Sequence, residues 1–470
     1  MTETILAIDI GSTKVCAIIA EIENDRIQII GHGIAKSQGV KKGNITNIEQ
    51  ASKAIKKALG DAKRIAGSNI SSATVSISST YAKSIKSSGI VNIPSKDVSI
   101  KEINRVMQTA LYNANIPNEY SVLHVLPYNF KVDEQNFIDD PFGMNANRLE
   151  VDANIIIAQK SSLSNLQKAI KSAGIAVENI VVNGYASMIS TVTEDEKELN
   201  VAVIDMGGQT SNLVIHAGNS IKYSDFLAVG SNHITNDLSM ALHTPLQVAE
   251  NVKLRHANLI ESSNETIDLP IIGDERNTNS VSLDTVYNVI VSRVEETLLL
   301  LKKSIDESKL KEQLGGGIIL TGGMTKIKGI REFAQMIFGG MPVRVAFPSK
   351  VSGLFNELKD PSFATVVGLL LYRAGHHTEY EININQELLH TKDANTEAAM
   401  SDSSSPQLSD IRLNGVVEDT KNEIRQRKEQ QQVAKKEKSE IGFSLDELSS
   451  NPIEENNPFK KFTNWAKQLF

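Results

Sequence analysis

The sequence writes one short turn twice, as AIDIGSTK at residues 7–14 and as VIDMGGQT at residues 203–210. In each copy an apolar run leads into Asp-x-Gly, hydroxyl-bearing residues follow, and a second apolar run comes next. Glycine lets a backbone approach a ligand closely, and successive turn N–H groups form a concave nest for anions. The aspartate of each copy, Asp9 or Asp205, suits a metal-bound water better than a phosphate, which it would repel. Two such hairpins facing each other predict a nucleotide and its cation gripped between two related domains.

Composition narrows the class of protein. The chain has 470 residues, of which 49 are Lys or Arg and 56 are Asp or Glu, for a formal net charge of −7. That length allows two or three domains. Because there is no domain-wide basic excess, we expect no nucleic acid as a partner. The single cysteine, Cys16, excludes an internal disulfide and fits a reducing compartment. We find no signal-peptide pattern and no run of about 20 apolar residues, so we expect a cytoplasmic body.

Strand-like and helical patterns alternate along most of the chain, which predicts α/β layers. Apolar residues at helical spacing predict a helix at 47–65 with Asn47 as its cap, and another at 161–173 with a serine cap. Residues 83–159 break the pattern and read as an inserted small α/β module. Because the second Asp-x-Gly hairpin restarts the order of elements of the first, we also predict an internal duplication.

The second half has a different pattern. Residues 226–310 are mainly helical, with a polar loop at 261–280, and a buried strand then leads into Gly322 and Gly323. Past about residue 376 the chain becomes rich in Ser, Glu, Lys and Gln. Such a segment cannot bury enough surface to offset its ordering entropy, so residues 379–457 are predicted to be a disordered linker.

The two turns and two further motifs supply the candidate nucleotide site. Asp9 and Asp205 would hold Mg²⁺ through waters. Glu250 and Lys253, spaced i and i+3 on one helix face, would bracket the ribose and adenine of ATP. The alternative for the two turns is a pair of ordinary β-hairpins with Asp-Gly turns. The alternative for Glu250 and Lys253 is an ion pair on the protein surface. The residues expected to contact the nucleotide are Gly11, Ser12, Thr13, Lys14, Gly207, Gly208, Gln209, Thr210, Glu250, Lys253, Gly322, Gly323 and Met324.

The last thirteen residues, 458–470, form an amphipathic pattern. At 100° per residue its apolar and its basic side chains fall on opposite faces, as in a helix that lies in an anionic membrane surface. The alternative is docking onto the body or onto a partner. One such tail binds weakly and an array binds strongly, so membrane attachment and self-assembly are expected to be coupled. The membrane-binding residues are Phe459, Lys460, Lys461, Phe462, Trp465, Lys467, Leu469 and Phe470.

The order of these motifs resembles the actin-like ATPase superfamily. Further stretches resemble the bacterial cell-division family FtsA in particular: SQGVKKG at 37–43, LHVLPY at 123–128 and TEDEKEL at 193–199. The resemblance covers residues 4–375 and the tail. It implies a duplicated, actin-like α/β fold in which two domains flank a nucleotide cleft, with an inserted small α/β subdomain and a disordered C-terminal linker that ends in an amphipathic helix.

The resemblance also implies domain boundaries. They are 1–82 with 160–198 (subdomain 1A), 83–159 (the inserted subdomain 1C), 199–226 with 311–378 (subdomain 2A), 227–310 (subdomain 2B), 379–457 (linker) and 458–470 (membrane-targeting helix). Subdomain 2B would bind the C-terminal peptide of FtsZ, the tubulin-like ring protein. Arg293 matches a basic position on its FtsZ-facing side, whereas Asn279 stands where a second basic residue is expected.

The resemblance implies an ATP-binding scaffold. It would polymerise with itself, tether FtsZ filaments to anionic lipid on the cytoplasmic face of the inner membrane at the division site, and meet later division proteins through residues 83–159. Asp9, Asp205 and Gln209 could orient a water for at most weak ATP hydrolysis, and we do not expect a metabolic enzyme. The alternatives are a small-molecule kinase of the same superfamily and a pilus-assembly ATPase like PilM.

Overall fold

The computed structural model describes residues 2–23, 26–78, 80, 82–349 and 351–390. The strands in chain order are β1 (Glu3–Ile10), β2 (Lys14–Glu23), β3 (Arg26–Lys36), β4 (Val40–Lys41), β5 (Asn44–Ile45), β6 (Ser72–Ile77), β7 (Ala82–Asn92), β8 (Tyr120–Val132), β9 (Gln135–Ile138), β10 (Arg148–Gln159), β11 (Ala176–Val182), β12 (Val201–Met206), β13 (Ser211–Ala217), β14 (Ser220–Leu227), β15 (Thr266–Ile271), β16 (Asp274–Ser282), β17 (Ile318–Thr321) and β18 (Val343–Val345). The helices are α1 (Ile48–Ala66), α2 (Ile100–Asn113), α3 (Lys160–Ser172), α4 (Asn183–Thr191), α5 (Glu194–Glu198), α6 (Ser231–Ala241), α7 (Leu246–His256), α8 (Leu283–Ser308), α9 (Ile330–Ile337) and α10 (Ala364–Arg373).

Two five-stranded sheets share one plan. Their strand orders are β11-β6-β1-β2-β3 and β18-β17-β12-β13-β14. Each Asp-x-Gly turn joins the central strand to its antiparallel partner in the same register, with Asp9 opposite Cys16 and Asp205 opposite Asn212. On the other side the central strand pairs in parallel, β1 with β6 and β12 with β17. The predicted α/β class and internal duplication are confirmed.

Helices α4 and α10, which follow the corresponding strands β11 and β18 in the chain, pack against each other. The crossing is very close, because a Cβ at Gly368 of α10 would overlap the carbonyl oxygen of Ala186 in α4. Both helices are mostly buried. The contact brings Ser187 of α4 and Thr365 of α10 to the same buried carboxylate, Asp205.

Helix α1 packs against the first sheet as its apolar spacing predicts. The Asn47 side chain accepts a hydrogen bond from the Gln50 N–H at 3.0 Å, which confirms the predicted cap. The serine cap predicted for α3 is wrong. That helix begins at Lys160, directly after β10, with Gln159 at its N-cap and no side-chain capping bond.

The inserted module is a four-stranded sheet, β7-β10-β8-β9, covered on one face by α2. Its core combines α2 residues such as Ile103 and Met107 with strand residues such as Phe130 and Leu149. The same core contains Tyr380 and Ile382, which lie more than 200 residues further along the chain. The module therefore does not complete its core from its own sequence.

Residues 378–390, here called the C-terminal strap, supply those two side chains. The strap pairs with β8 through Ile382 and Val125, whose backbones exchange hydrogen bonds of 2.9 and 3.1 Å. Tyr380 and Ile382 are fully buried. The predicted start of the linker at residue 379 is therefore wrong: the alternation Tyr-Glu-Ile hides two apolar side chains in a polar context. Residues 391–457, the rest of the predicted linker, lie outside the described residues.

Between the strap, the module and the first sheet lies a buried polar cluster. Glu381 accepts hydrogen bonds from Tyr185 at 2.8 Å and Tyr372 at 2.9 Å, and His124 Nδ1 lies 2.6 Å away. The backbone N–H of Val182 points to His124 Nε2 at 3.3 Å, which makes Nδ1 the proton-bearing nitrogen. Three donors therefore converge on one fully buried carboxylate.

The polar loop predicted at 261–280 is wrong in part, because it contains the antiparallel hairpin β15–β16. The hairpin turns at Gly273, where φ is +82°. Most of its described side chains are exposed, and among them only Leu269 and Val281 are buried. Too few apolar residues alternate along it for the sequence to indicate strands.

No helix among the described residues combines the length and apolarity needed to cross a bilayer. The predicted amphipathic helix at 458–470 lies outside those residues.

Candidate functional site

The two Asp-x-Gly turns close in the same way and face each other. Gly11 N–H donates to Lys14 O at 3.0 Å, and Gly207 N–H donates to Thr210 O at 2.8 Å. A Cβ at Gly208 would overlap Thr13 Oγ1, so the two turns are in direct contact. The duplicated sequence thus builds a paired site, with backbone donors from both halves at one end of a cleft.

Asp9 is the second-last residue of β1 and lies at the floor of this cleft. Its Oδ1 accepts a hydrogen bond from Ser76 Oγ at 2.7 Å, and Ser76 Oγ in turn accepts from the Ile10 N–H at 2.9 Å. Burial raises the pKa of Asp9 from 3.8 to about 6, against the opposing effects of the Ser76 bond and the Lys14 charge. A buried carboxylate with so few donors is poised to gain from a nearby cation.

Asp205 holds the equivalent place in the second half. Its Oδ2 accepts from Ser187 Oγ at 2.7 Å and from Thr365 Oγ1 at 3.1 Å. Burial raises the pKa of Asp205 above its usual value, and these two hydrogen bonds partly offset that effect. The two carboxylates are therefore held by hydroxyl donors from neighbouring elements rather than by permanent ion pairs.

Lys14 provides the one cation of the first turn. Its Nζ donates to Ser362 O at 2.6 Å and lies 4.0 Å from the centroid of the Phe363 ring. Burial lowers the pKa of Lys14, while the nearby Asp9 charge raises it. The ammonium thus has a single short backbone contact and faces the same cavity as both aspartates.

The third wall comes from the turn after β17. Gly322 adopts φ +90° and ψ 166°, a region essentially restricted to glycine, and a Cβ there would lie 2.6 Å from Met206 O. This backbone passes directly over Asp205. Gly323 and Met324 continue the turn along the edge of the cavity.

Glu250 and Lys253 lie one turn apart on α7. Lys253 Nζ is 2.7 Å from Glu250 Oε2 and donates to Thr235 Oγ1 at 2.8 Å and to Ser231 O at 3.2 Å. The Lys253 side chain is only 7% exposed, so this is not the surface ion pair of the alternative interpretation. It is an internal pair at the mouth of the cleft.

All of these side chains and turns surround one cavity of about 430 Å³. The structure brings every residue predicted to contact the nucleotide or cation to its lining: Asp9, Gly11, Ser12, Thr13, Lys14, Asp205, Gly207, Gly208, Gln209, Thr210, Glu250, Lys253, Gly322, Gly323 and Met324. A volume of that order lies within the usual range of small-molecule sites.

Sequence reasoning missed two buried amides at the floor of the cavity. The Oδ1 atoms of Asn183 and Asn212 are buried and have no hydrogen-bond partner among the described residues. Asn183 is the first residue of α4, directly after β11, and Asn212 lies opposite Asp205 in the pairing of β12 with β13. A lone Asn belongs to no motif, and for that reason neither residue could be recognised from the sequence.

The oxygen atoms that line the floor of the cavity fit a hydrated Mg²⁺. Two buried carboxylates and two unsatisfied amide oxygens are hard oxygen ligands or acceptors for its waters. No cluster of three or more His, Cys, Asp or Glu side chains suited to a metal occurs within the described part of the chain. A cation here would therefore need nucleotide phosphates and waters to complete its coordination, as Mg²⁺ usually does.

Two predicted phosphate ligands have other partners in the structure. Ser12 Oγ accepts from the Gly43 N–H at 2.9 Å, and Gln209 Oε1 accepts from the Lys42 N–H at 2.6 Å. Both donors belong to the small hairpin β4–β5. That hairpin therefore contacts the first turn and the second turn at once.

Comparison with known proteins places the chain in a family. The model described as Cell division protein FtsA matches residues 202–368, and the model described as SHS2 domain inserted in FTSA matches residues 80–157. Cell division protein FtsA of Helicobacter pylori is 40% identical over 411 residues, which cover 81% of this chain and 83% of that protein. The chain belongs to the FtsA family of cell division proteins.

Other FtsA proteins match over a similar span. Cell division protein FtsA of Pseudomonas aeruginosa is 35% identical over 372 residues, covering 78% of this chain and 88% of that protein. Cell division protein FtsA of Escherichia coli is 29% identical over 394 residues, which cover 82% of this chain and 93% of that protein. The SHS2 match coincides with the module built from β7–β10, and the longer match contains Asp205, Lys253 and Gly322.

Solved structures of other proteins confirm the fold of this FtsA-family chain. A chain of the PilM–PilN type IV pilus biogenesis complex aligns with a TM-score of 0.57 at 17% identity, covering 79% of this chain and 98% of that one. MreB5 of Spiroplasma citri bound to ADP aligns with a TM-score of 0.50 at 14% identity, covering 79% and 96%. These likenesses show the actin-like fold alone, and the sequence relatives favour FtsA over PilM.

Arg293, the predicted FtsZ contact, lies on α8 outside the lining of the cavity. Its Nε and Nη2 donate to the two carboxylate oxygens of Asp237 at 2.5 and 3.0 Å, and Nη1 donates to Glu296. These bonds raise the pKa of Arg293. In the FtsA fold described here this side chain joins α6 to α8.

Proposed function

We propose that this FtsA-family chain is an ATP-binding scaffold. It would polymerise with itself and tether FtsZ filaments to the cytoplasmic face of the inner membrane at the division site. The observation that supports this most strongly is the meeting of three glycine turns and two buried carboxylates around one cavity, in a chain of this family. A nucleotide clasped by both halves would fix their relative angle, which is what an assembling subunit needs.

Each part of the cavity has a proposed role. The backbone donors and hydroxyls of Ser12, Thr13 and Thr210 hold phosphates, together with the Lys14 ammonium. Asp9 and Asp205 hold the waters of Mg²⁺, whose charge offsets the repulsion between phosphates and carboxylates. The remaining contacts to the nucleotide come from Gly11, Gly207, Gly208, Gln209, Glu250, Lys253, Gly322, Gly323 and Met324.

We propose that nucleotide occupancy, rather than rapid turnover, is what assembly uses. Hydrolysis needs a group that accepts a proton from the attacking water, and the side-chain amides of Asn183 and Asn212 form hydrogen bonds but are not bases. Three acidic side chains line the cavity: Glu250 is paired with Lys253, and Asp9 and Asp205 are assigned to the cation. Any ATPase activity is therefore expected to be weak.

The partners are assigned by region. Residues 227–310, with Arg293, bind the FtsZ C-terminal peptide. The inserted module, 83–159, meets later division proteins. Residues 458–470 bind anionic lipid through one apolar face and three lysines, and make the chain a peripheral membrane protein.

The decisive experiment is co-sedimentation with vesicles that contain anionic lipid. The full chain with ATP should sediment and bring FtsZ down, whereas a chain ending at Pro458 should leave both in the supernatant. A Trp465→Ala, Leu469→Ala variant should resemble the truncation, and a matched Asn464→Ala, Gln468→Ala variant on the opposite face should not. An intact chain that stays in the supernatant with ATP and recruits no FtsZ would falsify the proposal.

The kinase alternative predicts a different result. Rapid ADP formation that requires an added sugar or acid would favour it. Under the scaffold proposal, ADP formation stays slow and unchanged by such additions, and Asp205→Asn weakens Mg²⁺–ATP binding at least tenfold in equilibrium titrations.

A further inference from the structure

The hairpin β4–β5 contains none of the residues that the sequence motifs assigned to the nucleotide. Residues 39–46, here called the clamp hairpin, form a two-residue β-turn at Lys42 and Gly43, both with positive φ (+48° and +74°). That combination matches a type I′ turn, the tight turn whose twist suits a short hairpin. The loop is therefore a defined structure and not an irregular connection.

The base of the clamp hairpin is fixed in the first half. Val40 and Ile45 face each other and are buried in the core of that half. Gly39 O accepts from the Thr46 N–H at 2.8 Å and from the Asn47 N–H at 3.1 Å, which joins the base to the start of α1. Movement of the hairpin relative to the first half is thus opposed by packing and by backbone bonds.

The tip of the clamp hairpin reaches both phosphate turns. Gly43 N–H donates to Ser12 Oγ in the first turn, and Lys42 N–H donates to Gln209 Oε1 in the second turn. Thr80 Oγ1 donates to Lys42 O at 2.6 Å and supports the tip from behind. A Cβ at Gly43 would overlap Ser78 Oγ, so the tip can approach the first turn only with glycine at this position.

We propose that the clamp hairpin ties the two halves together behind the phosphate end of the cleft, and that Gln209 is a positioning residue that holds this tie. The inference rests on the proposed nucleotide site and deepens it by naming what controls nucleotide release. Opening the cleft separates Gln209 from Lys42, since one belongs to the second half and the other to a hairpin fixed in the first. The Gln209 Oε1 atom is therefore committed to the hairpin and not to an attacking water, while the rest of Gln209 lines the cavity and remains available to the nucleotide.

The test compares nucleotide release from full-length variants. Gln209→Met keeps the length of the side chain and removes its acceptor, and Gly43→Ala disturbs the tip without touching the cavity lining. Each should speed release of a fluorescent ADP analogue by roughly threefold to tenfold, the effect of one hydrogen bond of ordinary strength. The exposed Gln38→Met, on the same segment, is the matched control and should release nucleotide at the normal rate.

The double variant distinguishes an action of Gln209 through the hairpin from a direct action of Gln209 on the nucleotide. If Gln209 acts through the hairpin, Gln209→Met with Gly43→Ala releases nucleotide no faster than either single variant. Multiplying effects would overturn the inference, as would a Gln209→Met chain that loses hydrolysis while its release rate stays normal. Thr80→Val, a milder change behind the tip, replaces Gly43→Ala if that variant does not fold.

A second measurement does not depend on nucleotide. Hydrogen exchange at the Lys42 amide of the ligand-free full chain should be slow, and Gln209→Met should accelerate it whereas Gln38→Met should not. Equal exchange in all three chains would refute the clamp even if ATP binds. If ATP does not bind but the exchange difference is found, the clamp stands and the proposed nucleotide site fails.

Discussion

Asp9 is the residue at which stability and ligand binding oppose each other most directly. Burial raises its pKa from 3.8 to about 6, so in the ligand-free protein its ionisation is disfavoured. A carboxyl whose folded pKa lies above its unfolded value loses stabilising effect as pH rises between the two values. From about pH 4 to pH 6, therefore, this group lowers the free energy of unfolding, and the loss persists at neutral pH.

Replacing the Asp9 carboxyl with an amide measures how much stability its burial costs. Asp9→Asn should raise the free energy of unfolding of the magnesium- and nucleotide-free chain by about 1–3 kcal/mol at pH 7.5, and should change it little at pH 4. Urea denaturation at the two pH values measures the difference, with the exposed Asp268→Asn as control. The same variant should bind Mg²⁺–ATP more weakly. A stability gain that is equal at both pH values would contradict the assigned pKa.

Adjacent glycines give a second prediction at this scale. Gly322→Ala should lower the free energy of unfolding by about 2–4 kcal/mol, because φ of +90° excludes a side chain and the new Cβ would crowd Met206 O. Gly323→Ala is the matched control, since its Cβ would make only an ordinary contact of 3.5 Å with Ser362. Thermal unfolding of both variants tests the contrast, and similar melting temperatures would count against the described turn.

Individual residues were predictable where a motif constrained them. Asp9, Asp205 and the turn glycines follow from the repeated Asp-x-Gly pattern, because close phosphate approach needs those residue types in that order. Asn183 and Thr365 were not predictable. Each reaches the cavity from an isolated helical position, and only the packing of α4 against α10 shows where it points.

Among the elements, the crossing of α4 and α10 matters most for the site. It positions Ser187 and Thr365 on Asp205, and it depends on the absence of a side chain at Gly368. A methyl group there must push the helices apart. The separation would move both hydroxyl donors away from the carboxylate.

Two helical glycines therefore have opposite expected effects. Gly368→Ala should destabilise the chain by about 2–4 kcal/mol through overpacking and should weaken nucleotide binding. Gly60→Ala, at an open position of α1 with no atom within 4 Å of the new Cβ, should stabilise it by about 0.5–1 kcal/mol. Calorimetry on both variants measures these stability changes. A stabilising effect of Gly368→Ala would mean that α4 and α10 do not cross so closely.

Elements were predictable in proportion to their burial on one face. Helix α1 has a clear apolar stripe and a capping Asn47, and both were predicted. Strands β15 and β16 carry mostly exposed polar side chains, so their pairing is set by the turn at Gly273 and by packing at two positions. A periodicity argument cannot detect a hairpin of that kind.

At the scale of the whole molecule, the duplication was visible in the sequence because each half keeps its own Asp-x-Gly turn. The strap was not visible, because Tyr380 and Ile382 are two apolar residues in a polar run, and their partner strand β8 is distant in sequence. Long-range pairing of this sort is specified by three-dimensional complementarity rather than by local pattern.

The buried carboxylate of the strap gives a prediction for the assembled fold. Glu381→Gln should lower the free energy of unfolding by about 2–4 kcal/mol, because an amide would direct N–H groups at the donors of His124, Tyr185 or Tyr372. Glu134→Gln, an exposed position of the inserted module, should have little effect. Hydrogen exchange should show faster exchange in β8 and β10 of the Glu381 variant, and unchanged protection there would argue against the cluster.

The strap also determines where a pulling force enters the protein. Every residue beyond His390 is connected to the fold through it, and the strap is rooted in the core of the inserted module by Tyr380 and Ile382. Tension applied at the C-terminus would load two attachments of the strap together: its backbone bonds to β8, and its contacts with the first half through Leu389 and Asn385. The inserted module and the edge strand β11 would then share the load, and β11 lies two strands away from β1, which carries Asp9.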